Sequence, residues 1–359
     1  MFSEHYDQEP AGVRFPTSSA FTIRALAFVI LVFASAGLVL AQERTEVTPT
    51  PAPSKTPAPT ATVAETEEAT ATEAATFRAL TQADLSIVTG NVQRPNGITW
   101  HDDKLYISCS GDWTLYQLDA TSGQTMTYIF GIRNAHTLVA EDAENGELSL
   151  WVPDFQLNTL ANVTRAGVRP VTTDLQGPWG LAKLDDENFL VSNLGGNNVV
   201  RVSREGEVQP VVEGLRAPTG LAVDGDVFYV ANNGSTRRSV EWYPTPAPDS
   251  DELVIEPDSE DSHSLVSGLQ NVTGLVMGPD NYLYMAYSLG TRGVVGRVDP
   301  ERCRENGGCT HDEVEIVLLT ELAAPLAGLT ISPDMRLYVH TMFSPDIYWA
   351  SLDRSAEDA

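Results

Sequence analysis

The sequence predicts an all-β protein: a six-bladed β-propeller, preceded by one N-terminal hydrophobic helix and a disordered linker. Three observations predict it. A glycine-anchored unit recurs six times, each copy holds short apolar strands separated by turn residues, and the last copy lacks a strand that appears ahead of the first. Self-similarity at a period of ~40–50 residues with several strands per unit is the signature of propeller blades.

The elements run in chain order. Residues 1–24 form a polar tail, and residues 25–41 (ALAFVILVFASAGLVLA) are uncharged and apolar. Seventeen residues sit at the lower limit for a membrane-spanning helix. The run also reads as a secretory signal, with small-residue sites at Ala34-Ser35-Ala36 and Val39-Leu40-Ala41. Both readings export the chain beyond residue 41: the protein is expected to be membrane-anchored with an extracytoplasmic domain, or secreted if the segment is cleaved. Residues 42–78 are rich in Pro, Thr, Ala and Glu. Such a chain buries too little apolar surface to offset its ordering entropy, so it is expected to act as an extended stalk. Residues 79–359 hold the propeller.

Within that domain the copies start at RPNG (Arg94), RNAHT (Arg133), GPWG (Gly177), APTG (Ala217), NVTG (Asn271) and APLAG (Ala324). Their anchors are Gly97, Gly180, Gly220, Gly274 and Gly328, with Thr137 in the glycine's place in the second copy. In the fourth, Leu221-Ala222-Val223 and Val227-Phe228-Tyr229-Val230 flank Asp224-Gly225-Asp226, a strong hairpin signal. Third and fourth strands come next, as at 198–203 and 208–215. After Ala324 only three strands fit. The segment from Asp84 (DLSIVTGNVQRPNG) matches the form of VQPVVEGLRAPTG from Val208, so it is expected to supply the missing strand and close the ring. Closure removes an open sheet edge.

In an antiparallel blade the first strand starts and the second ends at the same rim. Aligned copies therefore place two rings at one channel mouth: Asn96, His136, Trp179, Thr219, Thr273 and Ala327 at strand starts, and Cys109, Asp154, Asn193, Asn232, Tyr287 and Thr341 at strand ends. From these, Asn96, Trp179, Thr219, Thr273 and Tyr287 are expected to bind ligand, since apolar faces with a few placed polar groups make a small-molecule site. Asp154, Asn193 and Asn232 are three oxygen donors from successive blades, a candidate set for a divalent cation such as calcium. His136 shares a copy with Asp154 and is the candidate general base. The competing reading is architectural: a satisfied rim histidine and an aspartate that caps a turn. Strand alternation points His340 away from the ring.

The chain has 359 residues and a formal net charge of -27, with 49 acidic against 22 basic residues. No basic cluster suits nucleic acid, which needs phosphates neutralised. Cys303 and Cys309 bracket RENGG and are expected to pair in an exported protein. Cys109 is left over, as a small buried residue. Two insertions, 244–262 and 301–312, come after the third strands of their blades and are expected on the face opposite the two rings, as docking surfaces or ornaments.

The sequence resembles the six-bladed NHL-type and senescence-marker/gluconolactonase-like propellers, on RPNGI, GPWGL, APTGL and NVTGL and on the strand endings ISCS, VSNL and VANN. SGLQNVTGLVMGPDNYLYMAYS is also similar to secreted propellers of scytonemin-type gene clusters. The resemblance spans residues 84–353. It implies a divalent ion in the channel and lactonase or esterase chemistry assisted by that ion. This chain departs from it where an acid is expected before a first-strand glycine, because those places hold Asn96 and Trp179. The leading expectation is a binding or scaffold module for a protein, glycan or small ligand; the alternative is a metal-dependent hydrolase.

Overall fold

The computed structural model describes residues 78–353 apart from 144, 248–254, 257–262 and 324. The expected N-terminal helix and the stalk up to residue 77 lie outside the described residues. Among the described residues no helix is long and apolar enough to cross a membrane.

Six antiparallel sheets succeed one another along the chain. Blade one holds Pro95–His101, Lys104–Cys109, Thr114–Asp119 and Thr125–Phe130. Blade four holds Pro218–Asp224, Val227–Asn232, Val240–Pro244 and His263–Ser267. Blade six has three strands from the C-terminus, Gly328–Ile331, Arg336–His340 and Ile347–Ser351. Its fourth is Ser86–Thr89, antiparallel to the last, with Ser86 opposite Trp349 and Ile87 opposite Tyr348. The N-terminal strand thus closes the ring as the sequence predicts.

The second strands read as continuous apolar runs because both faces of a blade are buried, each against a neighbouring blade. In blade four Phe228 and Val230 pack toward blade three, while Val227, Tyr229 and Ala231 pack toward blade five. The core is accordingly six separate apolar layers, one between each pair of adjacent blades.

The recurring glycine has a steric cause. A Cβ on Gly180 would stand 2.2 Å from the Thr219 carbonyl oxygen, and one on Gly220 would stand 2.5 Å from the Leu275 nitrogen. The inner strands of adjacent blades approach too closely for any side chain there. Gly180→Ala is therefore expected to destabilise the fold by about 3 kcal/mol, the upper range for overpacking, read as a lower urea midpoint with an unchanged slope. A midpoint equal to that of the parent protein would show that the blades can part at no cost.

Three short segments cover outer blade edges, each running parallel to the strand it joins. Leu80–Thr81 lies along Leu318–Leu319 of blade five. Ile255, from the 244–262 insertion, bridges Val212 of blade three. Cys309–Thr310 lies along Val266–Ser267 of blade four. Both insertions leave from third-to-fourth-strand turns on the face away from the rings, and they then strap the preceding blade. Cys303, in the helix Pro300–Glu305, is bonded to Cys309, with Cα atoms 5.2 Å apart. An exposed strand edge invites pairing with other chains, and such covers prevent it.

Candidate functional site

The mouth rim is built from the residues that start first strands and end second strands. Most of the predicted site residues there are spent on holding blades together. Thr219 is fully buried, and its hydroxyl donates to the Val272 carbonyl at 2.7 Å, tying blade four to blade five. Thr273 donates to the Leu326 carbonyl at 2.7 Å, tying blade five to blade six. Ser108 and Ser192 do the same, donating to Ala135 and Thr219 carbonyls. Asn96 is buried and donates to the Asn134 side chain at 2.6 Å, joining blades one and two. Tyr287 belongs to the apolar layer between blades four and five, and burial pushes its phenol up to about 12. Thr219 and Thr273 are thus inter-blade fasteners and Tyr287 is a core aromatic.

The candidate metal ligands have a shared structural task. Asp154 accepts backbone N–H bonds from Arg133 at 2.7 Å, Gln156 at 3.0 Å and Leu157 at 3.2 Å. The Asn193 carbonyl oxygen accepts from the Gln176 backbone at 3.1 Å, and that of Asn232 from the Arg216 backbone at 3.2 Å. Their amide groups donate to Asn198 and to Glu241. In each blade the side chain fastens the linker arriving from the previous blade. Among the described residues no group of three or more His, Cys, Asp or Glu could hold a metal ion. A divalent cation needs six or so free oxygens with more than one charge, and this donor set does not fit one. Cys109 fills the same place in blade one, where burial pushes its thiol well above the usual range and leaves it unreactive.

Between blades two and three the contact at this level is aromatic. His136 stacks on Trp179 with ring centroids 3.5 Å apart and planes within 2°. Phe155 meets both edge-on, at 5.8 and 6.1 Å. The indole N–H of Trp179 donates to the Thr273 carbonyl of blade five at 3.2 Å. Trp179 therefore reaches from blade three past blade four across the mouth. His136 is buried, its Nδ1 has no partner, and burial together with nearby His340 lowers its pKa to about 3. A base so weak is neutral at physiological pH, and Asp154 is occupied elsewhere rather than orienting it.

His340 points as strand alternation predicts. Alternation does turn it away from the strand-end ring, but toward the axis side of blade one, where its Nε2 is 2.9 Å from the position of a Cβ on Gly328. It is fully buried with neither ring nitrogen hydrogen-bonded. Burial lowers its pKa to about 4, weakly opposed by the Thr341 backbone. The aligned copies carry the signal: this place holds Ser108, Pro153, Ser192, Ala231 and Ala286, and only the last blade puts an aromatic ring there. Phe155, one residue beyond Asp154, was likewise outside the aligned rings.

Below the glycine belt all six inner strands line a cavity of about 170 Å³, with Ile98, Leu138, Leu181, Leu221, Leu275 and Leu329 on its wall. None of the twelve ring residues lines it. Small-molecule sites usually measure about 300–1,000 Å³, so this channel is narrow for an organic substrate.

The sequence matches no protein-family model, and no curated protein matches it either. Solved structures do resemble the fold. A streptogramin B lyase superposes with a TM-score of 0.54 at 14% identity, over 75% of this chain and 98% of that one. A gluconolactonase from Xanthomonas campestris gives 0.55 at 14%, over 74% and 88%. The calcium-binding protein regucalcin from Agrobacterium tumefaciens gives 0.55 at 14%, over 76% and 95%. At such identity the likeness establishes the propeller architecture, and architecture hosts unrelated activities.

Proposed function

We propose that the protein is an extracytoplasmic binding module, tethered to a membrane by residues 25–41 or released where they are cleaved, that takes its ligand on the mouth rim. One observation carries this reading: Trp179 lies across the channel mouth while the polar side chains around it are committed to inter-blade bonds. What remains for a ligand is a rigid rim with an aromatic platform. The apolar N-terminal run, the Pro/Thr-rich stalk and the Cys303–Cys309 bond support an oxidising, external setting.

The metal-assisted hydrolase fits this rim poorly. Asp154, Asn193 and Asn232 would have to surrender backbone partners to bind an ion. The deciding experiment is a thermal melt of the full-length protein in EDTA and in calcium, magnesium, manganese or zinc, with Asp154→Ala alongside. A ligand selective for the folded state raises the midpoint by mass action. The expected result is no ion-dependent shift, with Asp154→Ala lowering the midpoint equally in EDTA and in calcium. A rise with one ion that Asp154→Ala abolishes would reinstate the hydrolase.

A further inference from the structure

First strands start and second strands end at the mouth. The linkers between blades and the second-to-third-strand turns therefore lie on the mouth face, and first-to-second-strand turns lie on the other. Charge divides along the same line. The first-to-second-strand turns carry Asp102-Asp103, Asp185-Asp186-Glu187 and Asp226 and, among the described residues, no base. The mouth-face loops carry Arg94, Arg133, Arg216, Arg237 and Arg238 against Asp112, Asp174, Glu213 and Asp346.

A chain with 49 acids and 22 bases has carboxylates to spare for every arginine. Toward the acidic face several are paired: Arg204 with Glu141, Arg297 with Asp280 and Glu315, and Arg336 with Asp334, while exposed Arg165 and Arg302 on that face form no ion pair among the described residues. On the mouth face Arg238 is held by Glu241. Arg94, Arg133, Arg216 and Arg237 are exposed, and among the described residues none forms an ion pair.

These four arginines form two pairs. The Arg94 carbonyl accepts the Ser110 N–H at 3.1 Å, and the Arg133 guanidinium lies 5.2 Å over Trp113, so both flank the second-to-third-strand turn of blade one. The Arg216 carbonyl accepts the Gly234 N–H at 2.9 Å, and Arg237 belongs to that same turn of blade four. Blades one and four face each other across a ring of six, with Trp179 between them at the mouth. Exposed Trp113, Phe130, Leu157, Leu289 and Phe343 lie on this face too; Trp113 and Phe130 are neighbours in blade one, where the Gly131 N–H donates to the Trp113 carbonyl at 2.8 Å, and the other three stand on different blades.

We propose that the mouth face binds an anionic polysaccharide of the polyuronate class, laid across the channel. Arg94 and Arg133 take carboxylates at one end, Arg216 and Arg237 take them at the other, and Trp179 offers a platform for a sugar ring between. This deepens the binding-module reading and rests on it. All five bases on these loops are arginines, whose planar fork matches a carboxylate better than an ammonium does. An indole face suits the apolar face of a sugar. Beyond the Trp113–Phe130 pair the apolar groups are spread over different blades, which fits an extended chain, whereas a protein interface needs a packed apolar centre. The acidic far face repels the same ligand and so orients its approach.

The test is calorimetric titration of the full-length protein with a hexauronate, with neutral maltohexaose and hexaglutamate as comparators. Expected are binding of the hexauronate alone, weakening as salt rises from about 0.05 to 0.5 M, and a loss of about tenfold or more in Arg94→Ala/Arg216→Ala, the size of one charge-assisted contact. Arg169→Ala, on an outer strand, keeps parent affinity. No hexauronate binding at millimolar concentration, equal binding by the double variant, or tighter binding of hexaglutamate would each overturn the proposal. Trp179→Ala separates the two readings: binding that survives it yet fails in the arginine variant keeps the polyanion face and removes the Trp179 platform.

Discussion

Deleting residues 84–90 is expected to abolish the cooperative unfolding transition. Ser86–Thr89 is the outer strand of blade six, and without it Ile347–Ser351 presents an unpaired edge. The segment also joins the last blade to the first. Thr89 shares a hydrogen bond with Thr125 of blade one at 3.2 Å, and the Val88 carbonyl packs where a Cβ on Gly123 would stand at 2.2 Å. Val88 and Val92 pack on the layer containing Leu105, Tyr338 and Ile347. Several backbone bonds at about 1 kcal/mol each, with the half-burial of Val88 and Leu85 adding a fraction of the about 1.5–3 kcal/mol of a fully buried side chain, amount to a sizeable part of a typical stability of about 5–15 kcal/mol. Near-ultraviolet circular dichroism on heating reads the outcome. A sharp melt within a few degrees of the parent would refute closure by this strand. Removing residues 78–81, which takes away the two-residue strap on blade five with its buried Leu80 but leaves the ring closed, serves as the milder comparison.

Acidification from pH 6.5 toward 4 is expected to weaken the fold through His340, with His136 contributing further. Both side chains are buried and held neutral, His340 with a pKa of about 4 and His136 of about 3. An unfolded histidine titrates near 6.5. As pH falls through that value the unfolded state takes up protons that the folded state refuses, so the equilibrium moves toward unfolding. The stability is intact above pH 6.5 and is lost progressively down to the folded pKa. At about 1.4 kcal/mol per unit, His340 alone accounts for on the order of 3 kcal/mol by pH 4. Urea midpoints at pH 7, 5.5 and 4.5 check this in the parent and in His340→Leu. The variant should show a flatter profile and little loss at pH 7, because it removes a buried polar ring with no partner. An unchanged slope would assign acid sensitivity to other groups. Glu141 would lead them: burial raises its pKa, but hydrogen bonds from Arg204 and Trp151 outweigh that and hold the carboxylate low.

The repeat, the blade count and the closing strand were legible in the residue order because their causes are local. Turn chemistry such as Asp224-Gly225-Asp226 and apolar runs such as Val227-Phe228-Tyr229-Val230 act within a few residues. The glycine column and the Cys303–Cys309 pair were legible too, since spacing alone marks them. Alignment of copies also brought the right residues to one rim. It could not say what they do there. Thr219 meets Val272 and Trp179 meets Thr273, partners 53 and 94 positions away that become neighbours only when the ring closes. Whether Asp154, Asn193 and Asn232 face an ion or fasten a linker depended on where the incoming backbone N–H groups lay. The parallel straps at Leu80, Ile255 and Cys309 depended on the same thing. Local pattern specifies which face of a strand a side chain leaves from, whereas the hydrogen-bond partner awaiting it belongs to another blade. Blade architecture is therefore written along the chain, and the uses of the mouth residues are set by ring closure.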